Sequence, residues 1–201
     1  IDAFHDAEYS GSVLSLIDNG EAFIKRNAKL MWRKTANSRE EMPEYVERSY
    51  HEALVNALAH RDYQNQGSVY VKHYPDKVVI ENPGGFPEGI TQNNIITHPS
   101  VSRNKLIAET LQRLKYVQRT GQGVDIIYRD MVSSGKPYPE YRSYSDAVSL
   151  TMYSGIDDIE FVKFIAEEQN SRQWNSSLAE LMILRFLTDN RRISFSEARE
   201  L

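Results

Sequence analysis

The segment HEALVNALAHRDY, residues 51–63, carries three polar side chains that could do chemistry. Glu52, Asn56 and His60 follow one another at four-residue steps. A helix advances about 100° per residue, so these side chains stay within one sector while the apolar residues between them point elsewhere. A carboxylate can accept a proton, and an amide oxygen can ligate a hard cation. The row is therefore either a solvated helix face or the wall of a site.

Two glycine-containing turns follow this segment. Asn82, Gly84 and Gly85 lie in IENPGG at the end of a β-rich run, and Gly121 and Gly123 lie in TGQG directly before a helical pattern. Glycines let backbone N–H groups approach a phosphate, and a helix N-terminus adds a partial positive charge worth about 0.3–1 kcal/mol. Both turns also suit ordinary chain reversal or helix entry. A metal ion and side chains would therefore have to carry much of any triphosphate affinity.

The chain offers residues for both tasks. Asn56 suits Mg²⁺, which is typically held by one or two protein groups together with phosphates and waters. Glu52, one turn away, could accept a proton from an attacking water. Residues 82–102 form a Gly-, Pro- and Asn-rich connection that is too long for an idle turn, and we predict a lid or binding loop there. Arg103, at the following predicted helix start, is the lid residue expected to reach phosphate.

The hydrophobic pattern predicts an α+β fold. Strands are predicted at KLMWRK, SVYVKHY, KVVIEN and DAVSLTMY, in an antiparallel or mixed sheet. The longest helix is predicted over EMPEYVERSYHEALVNALAHRDY, with Pro43 near its start. A further helix is predicted with Ser102 as its cap, and another after TGQG that ends at Gly135.

The C-terminal part predicts a different kind of unit. A connecting helix at DDIEFVKFIAEEQ is followed by two capping-box patterns, Ser177 with Glu180 and Ser194 with Glu197. Two short helices joined by a tight polar turn are typical of the first half of a winged helix-turn-helix. We therefore predict a first domain over residues 1–155 and a linker helix with a truncated winged helix over residues 156–201. We expect the chain to be a piece of a larger protein.

Composition limits the class of function. The formal net charge is −4, which gives no support for a broad nucleic-acid-binding face. The sequence contains no cysteine, so thiolate metal sites and disulfides are excluded and the cytoplasm is the expected location. No apolar run approaches the ~20 residues of a membrane span. No Walker A, zinc-protease or serine-hydrolase motif occurs, so a P-loop motor is absent from these residues.

The order of these motifs resembles the GHKL ATPase superfamily of gyrase, heat-shock chaperone, histidine kinase and MutL. HEALVNALAHRDY, IENPGGFPEGI, SRN and RTGQGVDII are most similar to the histidine-kinase-like ATPase domain named for the C-terminal part of RecG-type helicases. That domain often accompanies Schlafen or AlbA-type and winged-helix domains in bacteria. The resemblance covers roughly residues 45–153. It implies a two-layer Bergerat-type α/β sandwich with a mixed sheet.

The resemblance also implies roles for individual residues. It makes Glu52 the general base and Asn56 the Mg²⁺ ligand. The two glycine turns become the nucleotide-binding boxes, with Asn82 where the superfamily has an adenine-binding Asp. An amide oxygen can accept the same hydrogen bond, but it is neutral and can flip. Asp125 stands where a further glycine is common, and an inward carboxylate there would repel phosphate.

The function implied is that of an ATP- and Mg²⁺-binding module with weak ATPase activity at most. It would belong to a bacterial transcriptional regulator or a RecG-like, DNA-helicase-related protein. The expected partners are nucleotide, DNA through the truncated winged helix, and a second copy of the chain in a homodimer, with no membrane. The alternative is a non-hydrolysing sandwich that serves as a dimerisation or scaffold module.

Overall fold

Seven helices and six strands make up the part of the chain that the structure describes. This computed structural model describes residues 7–34, 39–117, 121–172 and 176–200. The elements in chain order are α1 (Val13–Asn27), β1 (Leu30–Lys34), β2 (Arg39–Pro43), α2 (Glu47–His60), β3 (Tyr70–His73), β4 (Lys77–Pro83), α3 (Lys105–Arg113), α4 (Gly123–Ser133), β5 (Glu140–Ser143), β6 (Ala147–Tyr153), α5 (Ile159–Arg172), α6 (Leu178–Asp189) and α7 (Phe195–Glu200).

The main sheet has four strands in the order β3-β4-β6-β5. Every pairing in the described sheets is antiparallel, which is one of the two arrangements predicted from the hydrophobic pattern, and the α+β class is confirmed. The mixed sheet that the resemblance implied is not found among the described strands. The reason lies in the connections: β3–β4 and β5–β6 are hairpins, and the long crossover through α3 and α4 sets β6 antiparallel to β4. The register aligns Ile80, Leu150 and Tyr141 in one row across three strands.

Two strands do not follow from the hydrophobic pattern. β5 is a four-residue strand, and β2 contains Pro43, which was predicted to lie near a helix start. Helix α2 instead begins at Glu47, after β2 has ended. β1 and β2 form a separate two-stranded sheet.

Local capping explains where several helices begin and end. The Ser177 side chain accepts from the Glu180 backbone N–H, and the Glu180 carboxylate accepts in return, so the predicted capping box is confirmed. Gly135 adopts a φ of 65° just after α4, a conformation that favours glycine. Ser102 does not cap α3, because Asn104 occupies the N-cap position. The Asn104 side chain instead donates to two carbonyl groups at the end of α2.

Helices α1, α2 and α4 pack with the sheet in two layers around a shared core. That core contains buried residues from α1, α2, α4 and strands β4, β5 and β6: Ile24, Tyr50, Ala53, Leu54, Ala57, Val78, Ile80, Ile127, Met131, Tyr141, Leu150 and Met152. A smaller cluster of Val132, Phe161, Ile165 and Leu181 joins α4 to α5 and α6. The division of the chain at residues 155 and 156 stays a prediction. Among the described residues, no helix has the length and apolar character needed to cross a membrane.

Candidate functional site

Helix α2 places the polar row in the wall of a cavity. Glu52, Asn56 and His60 all line it, and the Glu52 residue is 4% exposed. α2 is buried on most of its surface because it packs against α1, α4 and β4. A carboxylate in this position cannot belong to a solvated helix face. The three side chains therefore lie in a cavity wall and do not form a solvated helix face.

An ion-pair network fixes α2 against α4 one turn before Glu52. The Arg48 guanidinium forms a bidentate interaction with the Asp130 carboxylate, and the Ser49 hydroxyl donates to the same carboxylate at 2.7 Å. Asp130 is buried, so these charge-assisted hydrogen bonds replace the water it has lost. The network sets the relative position of the two helices that carry the site.

The cavity has a volume of about 150 Å³ and lies between α2, the sheet and the loop after β4. Its described walls include Glu52, Asn56, Asn82, Gly85, Gly121 and Gly123. The remaining walls are largely apolar, with Ala53, Ile80, Phe86, Val148 and Leu150 among them. No lysine or arginine occurs among the lining residues that the structure describes. A mostly apolar hollow with a few convergent polar groups is typical of a small-molecule site.

Gly123 brings the second glycine turn into direct proximity with the helix row. A Cβ atom built on Gly123 would lie 2.8 Å from the Glu52 Oε2 atom and 2.8 Å from the Asn56 Nδ2 atom. A Cβ atom at this position would force the ends of the Glu52 and Asn56 side chains to shift, so glycine allows the close approach seen here. Gly121 has a φ of 86° and lies against Ser100. The start of α4 therefore faces the acid and the amide across a narrow gap.

Asn82 lies at the end of β4 on the opposite side of the cavity, and it is 7% exposed. Its Nδ2 atom donates to the Pro83 carbonyl oxygen at 3.2 Å. Flipping the amide would set its oxygen against that carbonyl oxygen, so the hydrogen bond favours one orientation. The Asn82 Oδ1 atom is then left as the acceptor.

Gly84 and Gly85 shape the turn after Asn82 in different ways. Gly84 has a φ of 94° and does not line the cavity. Gly85 does line it, and a Cβ there would lie 2.6 Å from the Tyr144 carbonyl oxygen. The turn therefore packs closely on the β5–β6 hairpin. Arg103 is exposed, lies outside the cavity wall and donates to the Gly85 carbonyl oxygen, so here it braces this turn.

Burial sets the electrostatics of the row. Desolvation raises the pKa of Glu52, and the nearby His51 and Arg48 oppose it. Desolvation also lowers the pKa of His60, with the Arg103 charge acting in the same direction. A carboxylate with a raised pKa is a stronger base near neutral pH than an ordinary one. Asp125 does not line the cavity. Burial raises the pKa of Asp125, and the charge of Arg129, one turn along α4, partly opposes that rise.

Several lining residues were not anticipated. The loop after β4 supplies Phe86, Ile90, Ile95, His98 and Ser100, which no motif singled out although they lie in the segment 82–102 predicted as a lid or binding loop. Tyr141 on β5 also lines the cavity. No sequence signal identified it, because its strand was not predicted. The remaining signal, an isolated aromatic residue between charged neighbours, is too common to indicate a site.

The described part of the cavity offers few side chains that could bind a metal ion. Within the described ranges, no group of three or more His, Cys, Asp or Glu side chains is placed to hold a metal ion. Asn56 and Glu52 are the neighbouring oxygen-bearing side chains at the gap below Gly123. This set does not form an all-protein cage. It fits Mg²⁺, which usually keeps waters and takes further ligands from a bound phosphate.

Comparison with known proteins gives a family match over part of the chain. Residues 66–152 match the family described as "Putative ATP-dependent DNA helicase recG C-terminal", which confirms the predicted resemblance. The DIP2311 protein from Corynebacterium diphtheriae has a similar crystal structure, with a TM-score of 0.83 and 21% sequence identity. The similarity covers 94% of this chain but 39% of that one, and at this identity it shows the fold alone. No curated protein matches the sequence significantly.

Proposed function

We propose that the cavity binds ATP together with Mg²⁺. The observation that supports this most directly is that the N-terminus of α4, at Gly123, meets Glu52 and Asn56 in the wall of one cavity. Asn82 lines the same cavity from the other side, with an amide oxygen free to accept from a base. A nucleotide would extend from Asn82 to the start of α4. The family match over residues 66–152 agrees with this ligand class.

The phosphate end of the site would depend on backbone groups. The N-terminus of α4 offers N–H groups and a dipole worth about 0.3–1 kcal/mol. Because the described lining has no lysine or arginine, a bound metal ion would have to add to this small electrostatic stabilisation. Asn56 would hold Mg²⁺ through its amide oxygen. When bound, the ion would neutralise phosphate charge and orient a water.

Glu52 is the proposed general base. Its burial raises its pKa, and it lies beside Asn56 below the start of α4. It would take a proton from a water near the terminal phosphate. Two positions depart from the resemblance, Asn82 in place of the acidic adenine partner and Asp125 in place of a glycine, and we propose weak hydrolysis at most. Slow hydrolysis would then determine how long the protein stays in its ATP-bound state.

The biological role we propose is a nucleotide-responsive module of a cytoplasmic bacterial transcriptional regulator or RecG-like, helicase-related protein. α4 begins at the cavity with Gly123, and its last turn packs through Val132 against Leu181 of α6. Arg129 of α4 also donates to the Ser176 carbonyl oxygen just before α6. Nucleotide binding would order residues 86–103 and shift this helix pair. DNA binding through α6 and α7, as the start of a winged helix, would respond to that shift.

A thermal-shift titration tests the binding proposal. ATP with Mg²⁺ at about 100 times its Kd should add about 2.7 kcal/mol of stability. For a chain of this size, that stabilisation corresponds to a rise in Tm of roughly 5–10 °C. Chelating Mg²⁺ or introducing Asn56→Ala should remove most of the rise. No shift at millimolar nucleotide would contradict the proposal.

A matched pair of variants tests the role of Glu52. Glu52→Gln keeps the shape of the side chain but removes the base, so ATP turnover should fall while ATP binding survives. Glu47→Gln is the control, because Glu47 lies on the same helix but is exposed. Equal turnover in the two variants would assign hydrolysis to another group.

A non-hydrolysing scaffold is the second candidate function. The observation in its favour is the absence of lysine and arginine from the described lining. Under this function the wild type would show no nucleotide-induced shift, and sedimentation would show a dimer whose mass does not depend on ATP. An ATP-dependent shift in a monomer would exclude it.

A further inference from the structure

The hydroxyl group of Tyr141 is a buried polar group that makes no hydrogen bond with the described residues. Tyr141 is 9% exposed and lines the cavity, and its hydroxyl has no hydrogen-bond partner in the part of the chain that the structure describes. A buried hydroxyl without a partner costs stability, because it has given up its hydrogen bonds to water. Native proteins place such groups where something else completes them.

The ring of Tyr141 is held firmly, so the hydroxyl cannot simply turn to solvent. Tyr128 of α4 stacks on it with a centroid distance of 6.4 Å and an interplanar angle of 8°. Phe86, from the loop after β4, lies on it at a centroid distance of 6.5 Å. One contact comes from the helix that starts at the second glycine turn and the other from the proposed lid. The hydroxyl therefore has a fixed position in the site.

Sheet register relates Tyr141 to Asn82. Tyr141 shares a row with Leu150 and Ile80, and Asn82 is two residues beyond Ile80 on the same face. Two strand spacings of about 4.8 Å and one two-residue step of about 6.8 Å give a Cα separation of roughly 12 Å. Both side chains line the cavity from the same face of the sheet. A planar heterocycle fits between them, over the apolar floor of Ile80 and Leu150.

We propose that the Tyr141 hydroxyl donates a hydrogen bond to the base of the bound nucleotide. This inference rests on the proposed function and adds a polar contact on β5, two strands away from Asn82. The surroundings decide in favour of the base: Phe86, Ile80 and Leu150 suit a flat heterocycle, while a phosphate would need cationic or backbone N–H partners. The hydroxyl stays protonated because burial raises the pKa of Tyr141 well above its ordinary value. It can therefore donate to a ring nitrogen.

Tyr141→Phe tests the contact, with Tyr45→Phe as the matched control. Tyr45 is also buried, its hydroxyl lies near the Ser154 side chain, and Tyr45 does not line the cavity. Without ligand, Tyr141→Phe should melt no lower than the wild type, since it removes a polar atom that has no partner among the described residues. Calorimetric titration with ATP and Mg²⁺ should show about tenfold weaker binding for Tyr141→Phe and unchanged binding for Tyr45→Phe.

The outcomes separate this inference from the proposed function. If the wild type binds ATP and Tyr141→Phe binds it equally well, the contact is refuted and the nucleotide site stands. If the wild type binds no nucleotide, both fail together. A crystal structure with a non-hydrolysable ATP analogue and Mg²⁺ gives a direct check. The hydroxyl should lie within hydrogen-bond distance of a base nitrogen, and a phosphate or ribose at that place would overturn the assignment.

Discussion

Replacing Gly123 by alanine adds a single methyl group at the point where the two halves of the site meet. The new Cβ would lie 2.8 Å from one Glu52 carboxylate oxygen and from the Asn56 amide nitrogen. Ordinary van der Waals contact begins at 3.4 Å, so these groups or the start of α4 must move by about 0.6 Å. Both neighbours lie on α2, which is pinned to α4 by Asp130. The strain therefore acts on the contact between residue 123 and the side chains of Glu52 and Asn56.

The two effects of this substitution on stability have opposite signs. Alanine gains roughly 1 kcal/mol of helix propensity over glycine, whereas overpacking a tight contact costs about 1–3 kcal/mol. We expect the free energy of unfolding to fall by no more than about 2 kcal/mol. Nucleotide affinity should fall as well, because the added methyl group displaces groups proposed to hold the phosphates, and a hydrogen bond to a charged group contributes about 1.5–3 kcal/mol. A weakening of ATP binding by tenfold or more is expected.

The assay is calorimetric titration of ATP with Mg²⁺, run beside a urea unfolding curve for each variant. Gly155→Ala is the control, because a Cβ there would meet only Asp157 Oδ1 at 3.9 Å and the residue lies outside the cavity. Gly155→Ala should leave affinity unchanged. If Gly123→Ala binds ATP as tightly as the wild type, phosphates do not lie at this gap, and the reasoning from close approach is wrong.

Three further predictions concern the groups that support the site. His51 contacts Glu21 and has a raised pKa, through hydrogen bonds to Tyr116 and Glu21 that outweigh burial. The stabilisation from protonated His51 is complete below the ordinary pKa of 6.5 and is lost as pH rises through the folded pKa. The difference in unfolding free energy between wild type and His51→Gln should therefore shrink as pH rises above 6.5, and a constant difference would contradict this. Burial lowers the pKa of Lys136 to about 8, so Lys136→Met should raise the free energy of unfolding by about 1–3 kcal/mol at pH 7. The gain should disappear as pH approaches 10.5, the ordinary pKa of lysine, and thermal unfolding at about pH 7 and near pH 10.5 measures it. Ser49→Ala should cost about 1–3 kcal/mol in urea unfolding by removing a buried hydrogen bond to a carboxylate, and a neutral result would show that Arg48 alone suffices.

The local parts of the site could be predicted from sequence because their signals are local. Glu52 and Asn56 are linked by helical periodicity within one element, and Gly121 and Gly123 precede a clear helical pattern. The meeting of Gly123 with the helix row could only be inferred from resemblance, because 67 residues of chain separate Asn56 from Gly123 and periodicity carries no information across that distance.

The parts that could not be predicted depend on tertiary contacts. β5 has four residues, and only Tyr141 in it is buried, so no alternation marks the strand. The start of α3 is decided by Asn104, whose side chain bonds to Ala59 and Arg61 across the fold. Ser102 is an equally suitable capping residue but lines the cavity instead. In each case a long-range partner outweighs the local preference.

The β1–β2 hairpin has a consequence for the dynamics of the protein. Its two strands hydrogen-bond to each other and join no other strand in the described chain, and Leu30 at its base is 63% exposed. A two-stranded ribbon is marginally stable by itself in water. Its amide hydrogens should therefore exchange with solvent deuterium long before those of β4 and β6, which each pair with two neighbouring strands. Such opening would detach one corner of the molecule while the central sheet stays closed.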